Sequence, residues 1–302
     1  MHGSISHRVR LFSTVLVLCW SFAPPAWGQE DGARSDASAR TYSESLTLAQ
    51  AETQSDQDPE MRTEQSSTET HDELNWDIDG PISLRSADPE PPGELVIKNI
   101  FGWSTSRGGD DDDFEYELEI EYGVMEDHEL ILQLPVEFGD ARINGNADAT
   151  LGWHWRLWKE EDGMPAFAMR NFIRVPSGVD SSGVDYKWVG LITKSVVPGE
   201  FRLHANPFIE SVNGHNEEDA RHFLWGSAFG FDYRCSDDLL LIADYRYETG
   251  EEEHTRDQHS LELGVDWTFA DHQKLGMATT IGLDGDEQGP SLGARVSYII
   301  SF

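Results

Sequence analysis

The sequence predicts an all-β protein, a transmembrane antiparallel up-and-down β-barrel of about 12 strands preceded by a disordered acidic segment. Three observations carry that prediction. The chain opens with an export signal, its C-terminal two thirds alternate apolar and polar residues in pieces of about ten, and the connections between those pieces alternate in length. No later run is long enough for a spanning helix. Lipid admits only helices and closed barrels, so any membrane span must be made of strands.

Residues 1–28 read as a signal peptide. Arg8 and Arg10 precede an apolar run from Leu11 to about Phe22, and Ala26 and Gly28 have the spacing of a cleavage site. Cys19 follows Leu18 rather than a small residue, which argues against a lipoprotein. The segment carries two Arg and no acid, so its removal takes the formal charge from −34 to −36 and leaves Cys235 as the sole cysteine. That acidity disfavours nucleic acid as a partner, and one cysteine excludes an intrachain disulfide.

Residues 29–93 hold 4 basic and 16 acidic residues among Ser, Thr and Gln, with few aromatics. Such a stretch buries too little to offset the entropy of ordering, so it is expected to be a disordered, periplasmic tail, with a plug, a cell-wall contact or a partner-binding segment as the alternatives. Two stretches stand out. Leu74 to Leu84 (LNWDIDGPISL) has enough apolar residues for local contacts, and Asp88 to Gly93 (DPEPPG) reads as a stiff spacer.

From Glu94 to Phe302 the period-two pieces between turn residues are strands. In order they centre on ELVIKNIFGW, FEYELEIEY, ELILQLPVEF, ATLGWHWRLW, PAFAMRNFIRV, YKWVGLITKSV, FRLHANPFIE, FLWGSAFGFDY, LLLIADYRY, SLELGVDWTF, KLGMATTIGL and LGARVSYIISF. Connections after the odd-numbered pieces are polar and mostly long, such as GDARINGNAD and SVNGHNEEDARH; those after the even ones are mostly short, such as VPGE and ADHQ. Long loops at one end and short turns at the other are the pattern of an outer-membrane barrel, with both termini on the periplasmic side. The last strand is apolar on one phase and ends on an aromatic residue. It resembles the assembly signal of bacterial outer-membrane proteins, carried by Tyr298 and Phe302, which implies the barrel-assembly machinery as a partner. Trp103, Trp188 and Trp267 near strand ends fit an interfacial girdle.

The second strand alternates without exception. Phe114, Tyr116, Leu118, Ile120 and Tyr122 share one phase, and Glu115, Glu117, Glu119 and Glu121 share the other. Four carboxylates facing lipid would be costly, so the Glu face is assigned to the lumen. The same phase places Lys98, Glu137, Asp148, His154, Arg156, Arg170, Arg174, Arg202, His204, Asp244, Arg246, Glu262, Asp266 and Arg295 inside. Two consequences stand open. The lumenal charges pair with one another and rigidify the wall, or part of the Glu ladder is unpaired and biases the lumen toward cations.

Catalysis needs a nucleophile, a base and an orienting group in one place. His204 and Asn206 lie on the lumenal phase with no Ser motif beside them, so no enzyme and no catalytic residues are predicted. The acidic runs GGDDDD (108–113), EEEH (251–254) and DGDEQG (284–289) suit loose bridging by divalent cations to anionic lipid headgroups. No cofactor and no dedicated metal site are predicted.

The stretch from Glu94 through ELILQLPVEFGD, followed by ADATLGWHWRLW and FIRVPSGVDSSG, resembles the transporter-like outer-membrane family named for the MetA pathway of phenol degradation. The resemblance covers about Glu94 to Phe302. It implies a channel for passive or facilitated diffusion of small molecules or ions, aromatic compounds among them, in the outer membrane of a Gram-negative-type cell. An apolar solute would need Ile100, Ile131, Val189 or Leu191 on the inner wall, and their side is left open. A closed structural or adhesive barrel acting through its acidic loops or N-terminal tail is the alternative.

Overall fold

The computed structural model describes Ile78 and residues 80–106, 112–139, 145–161, 163–179, 181–213, 220–250, 252, 254–284 and 290–302, with only the backbone of Asp284 and Pro290. The predicted signal peptide, residues 29–77 and 79, and much of the three acidic loop runs lie outside the described residues.

The strands are β1 (Leu95–Ser106), β2 (Asp112–Met125), β3 (His128–Gly139), β4 (Gly145–Asn146), β5 (Ala149–Trp158), β6 (Ala166–Val175) and β7 (Asp185–Val197). They continue with β8 (Phe201–Ser211), β9 (Phe223–Ser236), β10 (Leu239–Glu248), β11 (Gln258–Ala270), β12 (Gln273–Asp284) and β13 (Pro290–Ser301). Each long strand pairs antiparallel with its chain neighbours, and β1 pairs with β13 from Val96↔Ser301 to Ser106↔Pro290, so the sheet closes on itself. The two-residue β4 pairs with Val136 and Glu137 of β3, beyond the stretch of β3 that pairs with β5, and Asn146 O accepts from Val179 N–H (3.0 Å). The twelve long strands make the barrel, as the alternation predicts.

The short turns at 126–127, 237–238 and 271–272 are two residues long, and two of them carry a left-handed residue, Asp127 (φ 68) and His272 (φ 61). Tight antiparallel hairpins need that conformation to follow the twist of their strands. Connections at the other barrel end are longer, as at 176–184 and 212–222. This is the sorted arrangement that the loop lengths predict.

Register decides which way each side chain faces. Lys98 stands opposite Glu119, His154 opposite Arg170, and Arg202 opposite Asp232. All are buried inside the barrel, Lys98 and Glu119 at 1 % exposure, while Leu130, Leu151 and Leu263 on the opposite phase are more than half exposed. An apolar outer face and a charged inner one are what a barrel in lipid requires. Trp103, Trp188 and Trp267 all lie on the outer phase. Ile100, Ile131, Val189 and Leu191 lie on the inner phase.

One expectation gives way to its alternative. Ile78 and residues 80–93, expected in a solvated tail with a plug as the alternative, run inside the barrel. At the base, the Glu94 amide donates to the Pro91 carbonyl (3.0 Å) and Gly93 has φ 89. Pro92 and Gly93 therefore occupy the two central positions of a turn that suits Pro followed by Gly, and the presumed spacer is a corner that leads into β1. Gly93 N–H donates to Gly123 O (2.7 Å), and a Cβ on Gly123 would lie 2.0 Å from the Pro91 carbonyl oxygen. Glycine is needed there because two backbones touch.

The outer-face assignment predicts that Leu118→Arg, mid-strand on β2, destabilises the barrel by about 2–4 kcal/mol in lipid vesicles, measured by urea titration. A change below about 0.5 kcal/mol would mean that the two faces are reversed.

Candidate functional site

The inner wall is built from the inward phase of every strand, and its charges are sorted. β2 and β3 contribute Glu115, Glu117, Glu119, Glu121, Glu129 and Glu137, while β5 to β8 contribute Arg156, Arg170, Arg174, Lys187 and Arg202. A carboxylate-rich arc beside a cation-rich arc produces a field across the lumen.

The Glu ladder is not uniform. Lys98 Nζ lies 3.2 Å from Glu119 and 2.5 Å from Glu121. Arg170 lies 3.4 Å from both Glu121 and Glu129, and Gln133 donates to Glu119 at 2.6 Å. His154 Nδ1 accepts from Arg170 Nε at 3.2 Å and stands 3.5 Å from Glu129. The lower pair of the ladder is thus held in a closed network. Its upper pair, Glu115 and Glu117, faces Gly102 and Ile100 of β1, with Arg295 next along the wall and Arg85 close enough to act on Glu117.

A second network holds Arg202 on Asp232 (Nη2–Oδ2 2.5 Å), with His204 3.3 Å from the same carboxylate and its Nδ1 3.0 Å from Thr193 Oγ1. A third joins Arg174 to Asp185 (3.4 Å) and Glu210 (2.9 Å), with Lys187 on Glu210 at 3.0 Å. Arg246 pairs with Glu248, and Glu262 accepts from Thr280 at 3.1 Å. Arg156 bridges Asp127 and Asp88, at 2.7 Å each.

Residues 80–93 are threaded through these networks. Glu90 N–H donates to Glu129 (2.9 Å), Ala87 N–H to Thr193 Oγ1 (2.9 Å), and Ser83 N–H to Glu262 (2.7 Å). Asn206 grips Arg85 by both backbone groups, accepting from N–H at 2.7 Å and donating to the carbonyl at 3.1 Å. The segment climbs from Gly93, beside the short turn of β2 and β3, to Ser83, then folds back. Pro81 meets Gly276 and Gly80 meets Asp266, near the short turn of β11 and β12. The Arg85 guanidinium closes this bend on the carbonyls of Gly80, Ile82 and Leu84. Ile78, Ile82 and Leu84 bury against Ala228 and Ile242, and Ala87 against Ala166, Ala168 and Leu191. Both limbs of the loop point to the short-turn end.

All twelve predicted lumenal residues of the site lie on the inward phase: Glu115, Glu117, Glu119, Glu121, Arg156, Arg170, Arg174, Arg202, Arg246, Glu262, Asp266 and Arg295. Tyr298 and Phe302 lie on the outward phase, 36 % and 67 % exposed. Asp148 is a correction. It precedes β5 and clamps the loop at 176–184, accepting from Ser177 N–H (3.0 Å), Gly178 N–H (2.8 Å) and Ser181 Oγ (2.6 Å). Burial opposes its ionisation, but these three hydrogen bonds and the Arg174 charge hold its carboxyl below 3.8. Asp185, Lys187, Glu210 and Asp232 were missed; Arg85 and Asn206 were not recognised as the grip on the inner segment.

No family model matches the chain, and no curated protein matches it. Solved structures do. An outer membrane channel from Pseudomonas putida F1 aligns with 72 % of this chain and 98 % of its own, at 13 % identity and a TM-score of 0.59. The KdgM porin aligns with 68 % of this chain and 99 % of its own, at 10 % identity and a TM-score of 0.50. The fold is that of an outer-membrane barrel. At such identities the likeness extends to the fold and no further.

Two outcomes follow from the site. Lys98→Ala leaves Glu119 and Glu121 without their shared cation and lowers the unfolding free energy by about 3–5 kcal/mol, whereas Lys98→Met combined with Glu121→Gln recovers much of the loss in the same urea titration. A carboxyl held below its ordinary value stabilises its fold above that value and loses the contribution as pH falls through the depressed one. Asp148→Asn therefore speeds amide exchange at Ser177 and Gly178 several-fold at pH 7, and its difference from wild type fades as the pH drops below about 3.8.

Proposed function

We propose that this protein is an outer-membrane channel for small solutes or ions which its own residues 80–93 hold shut, with the short turns and the chain upstream of Ile78 on the periplasmic side. The observation that carries the reading is the course of that segment up the lumen and back. A twelve-stranded barrel is wide enough for a narrow path, between eight-stranded barrels filled by side chains and the open sixteen-stranded porins. Here an irregular loop fills it, held by hydrogen bonds that water can replace rather than by strand pairing. The fold shared with outer membrane channels supports the same reading.

When the loop leaves, the lower Glu pair stays neutralised by Lys98 and Arg170. Glu115 and Glu117 then set a cation preference in the long-loop half. Small aromatic compounds are the solute class that the sequence resemblance implies, and Ile100, Ile131, Val189 and Leu191 would give them an apolar strip. Tyr298 and Phe302 serve as the terminal-strand signal for barrel assembly. A closed structural barrel, acting through its loops or N-terminal tail, is favoured by the saturation of the lower lumen with ion pairs.

Planar-bilayer recording of refolded protein separates the two. Wild type is expected to be mostly silent with brief openings. Deletion of residues 78–90 should raise the mean current at least about tenfold, with a cation preference that Glu115→Gln with Glu117→Gln reduces. A folded deletion variant that stays silent would sink the channel and leave the structural barrel.

A further inference from the structure

Above the inner segment, in the long-loop half of the lumen, lies a cavity of about 180 Å³ bounded by Phe172, Arg174, Asp185, Lys187 and Glu210, with Gln133 and Thr150 completing its wall. Along β3 and β5 to β8, the residues bonded to the segment, Glu129, Thr193, Asn206 and Arg156, lie nearer the short turns, while the bend itself reaches Arg246 and Glu262 on β10 and β11. A solute arriving from the long-loop side along β5 to β8 therefore meets this cavity before it meets the segment.

The chemistry of the lining is one-sided despite its equal numbers of acids and bases. Glu210 and Asp185 are set back, with side chains 6 % and 11 % exposed, whereas Arg174 and Lys187 stand forward at 42 % and 29 %. Asp185 already accepts from Arg174 (3.4 Å) and from the Asn213 amide (2.6 Å), and Glu210 accepts from Arg174 (2.9 Å) and Lys187 (3.0 Å). The acids are occupied by the bases they position. Guanidinium has five N–H donors and ammonium three, and these bonds use two of the first and one of the second. The unused hydrogen-bonding capacity of the two cations is all donor, held in place beforehand.

An apolar surface lies next to those donors. Phe172 is paired across the ladder with Lys187 on one side and Gly152 on the other. A Cβ on Gly152 would come within 2.6 Å of the Phe172 ring, so the glycine lets the ring lie against the wall and leaves its other face to the lumen. Lys187 Nζ is steadied 4.4 Å over the Phe208 ring.

We propose that this cavity is a capture site for small organic carboxylates, with the carboxylate on Arg174 and Lys187 and the carbon body on Phe172. It rests on the channel reading, and it names the solute class that waits above the closed segment. A planar carboxylate matches the guanidinium fork better than a neutral hydroxyl does. The volume admits one compact molecule.

Calorimetry on detergent-solubilised full-length protein tests this with three probes: benzoate, benzyl alcohol (the same body without the charge) and acetate (the charge without the body). Benzoate is expected to bind one per chain and at least about tenfold more tightly than either other probe, a difference of about 1.4 kcal/mol. Arg174→Gln and Lys187→Gln should each weaken benzoate by a similar factor, and Phe172→Ala should weaken benzoate more than acetate. Heat-dependent gel mobility verifies that each variant is folded, and Lys187→Gln stands as the test if Arg174→Gln is not. Benzyl alcohol binding as tightly as benzoate, or variants with wild-type affinity, would overturn the site. Binding in a protein whose deletion of residues 78–90 never conducts keeps the site and removes the channel. A deletion that conducts, in a protein that shows no benzoate binding by calorimetry, does the reverse.

Discussion

A closed sheet in lipid has one face that tolerates charge, and the rest of this structure follows from that constraint. Side chains alternate with a period of two, so each strand must send its Glu, Asp, Lys and Arg to the same side as its neighbours do. The register achieves this for the mid-wall charges, from Lys98 beside Glu119 to Asp244 beside Glu262, and Lys194, outward near the short-turn end of β7, is met by Glu160. Charges gathered into so narrow a space then have to be reconciled with one another. Removing one partner of such a group leaves the other buried and unmatched, which is why the inner wall is organised as networks rather than isolated pairs.

The inner segment is the counterpart of that wall. Peptide groups taken out of water need partners, and in a narrow lumen the partners available are side chains. Glu129, Thr193, Asn206 and Glu262 each meet an N–H of residues 83–90, so the wall that repels lipid is also what orders the loop. Arg85 adds a cation to the acid-rich side and fastens the bend onto itself. Because both limbs lead to the short-turn end, a force applied from that side draws the loop out without threading it through the barrel.

The barrel was legible in the sequence because its signals are local. Alternation in FEYELEIEY fixes a face, and turns such as ADHQ fix strand ends. The inner segment was not legible. Its composition is that of a solvated tail, and its order comes from side chains more than a hundred residues away, as with Arg85 and Asn206. Ile78, Ile82 and Leu84 were the visible hint, together with the Pro-Gly corner at Pro92 and Gly93. Asp148 was placed on the wall because phase alone cannot tell a strand start from the loop before it. Lys187, Asp185 and Glu210 escaped for the related reason that they sit at strand ends, where turn residues blur the alternation.

The central claim, that residues 80–93 close the lumen, is tested most directly by a reversible cross-link. Ala87→Cys with Thr193→Cys joins two positions in hydrogen-bond contact, in a background where the exposed Cys235 is replaced by Ser. Oxidation should form an intramolecular bond in the folded protein and abolish the brief openings in a bilayer, and a reductant should restore them. Failure of the pair to cross-link, or openings that continue unchanged once it has, would contradict closure by this segment.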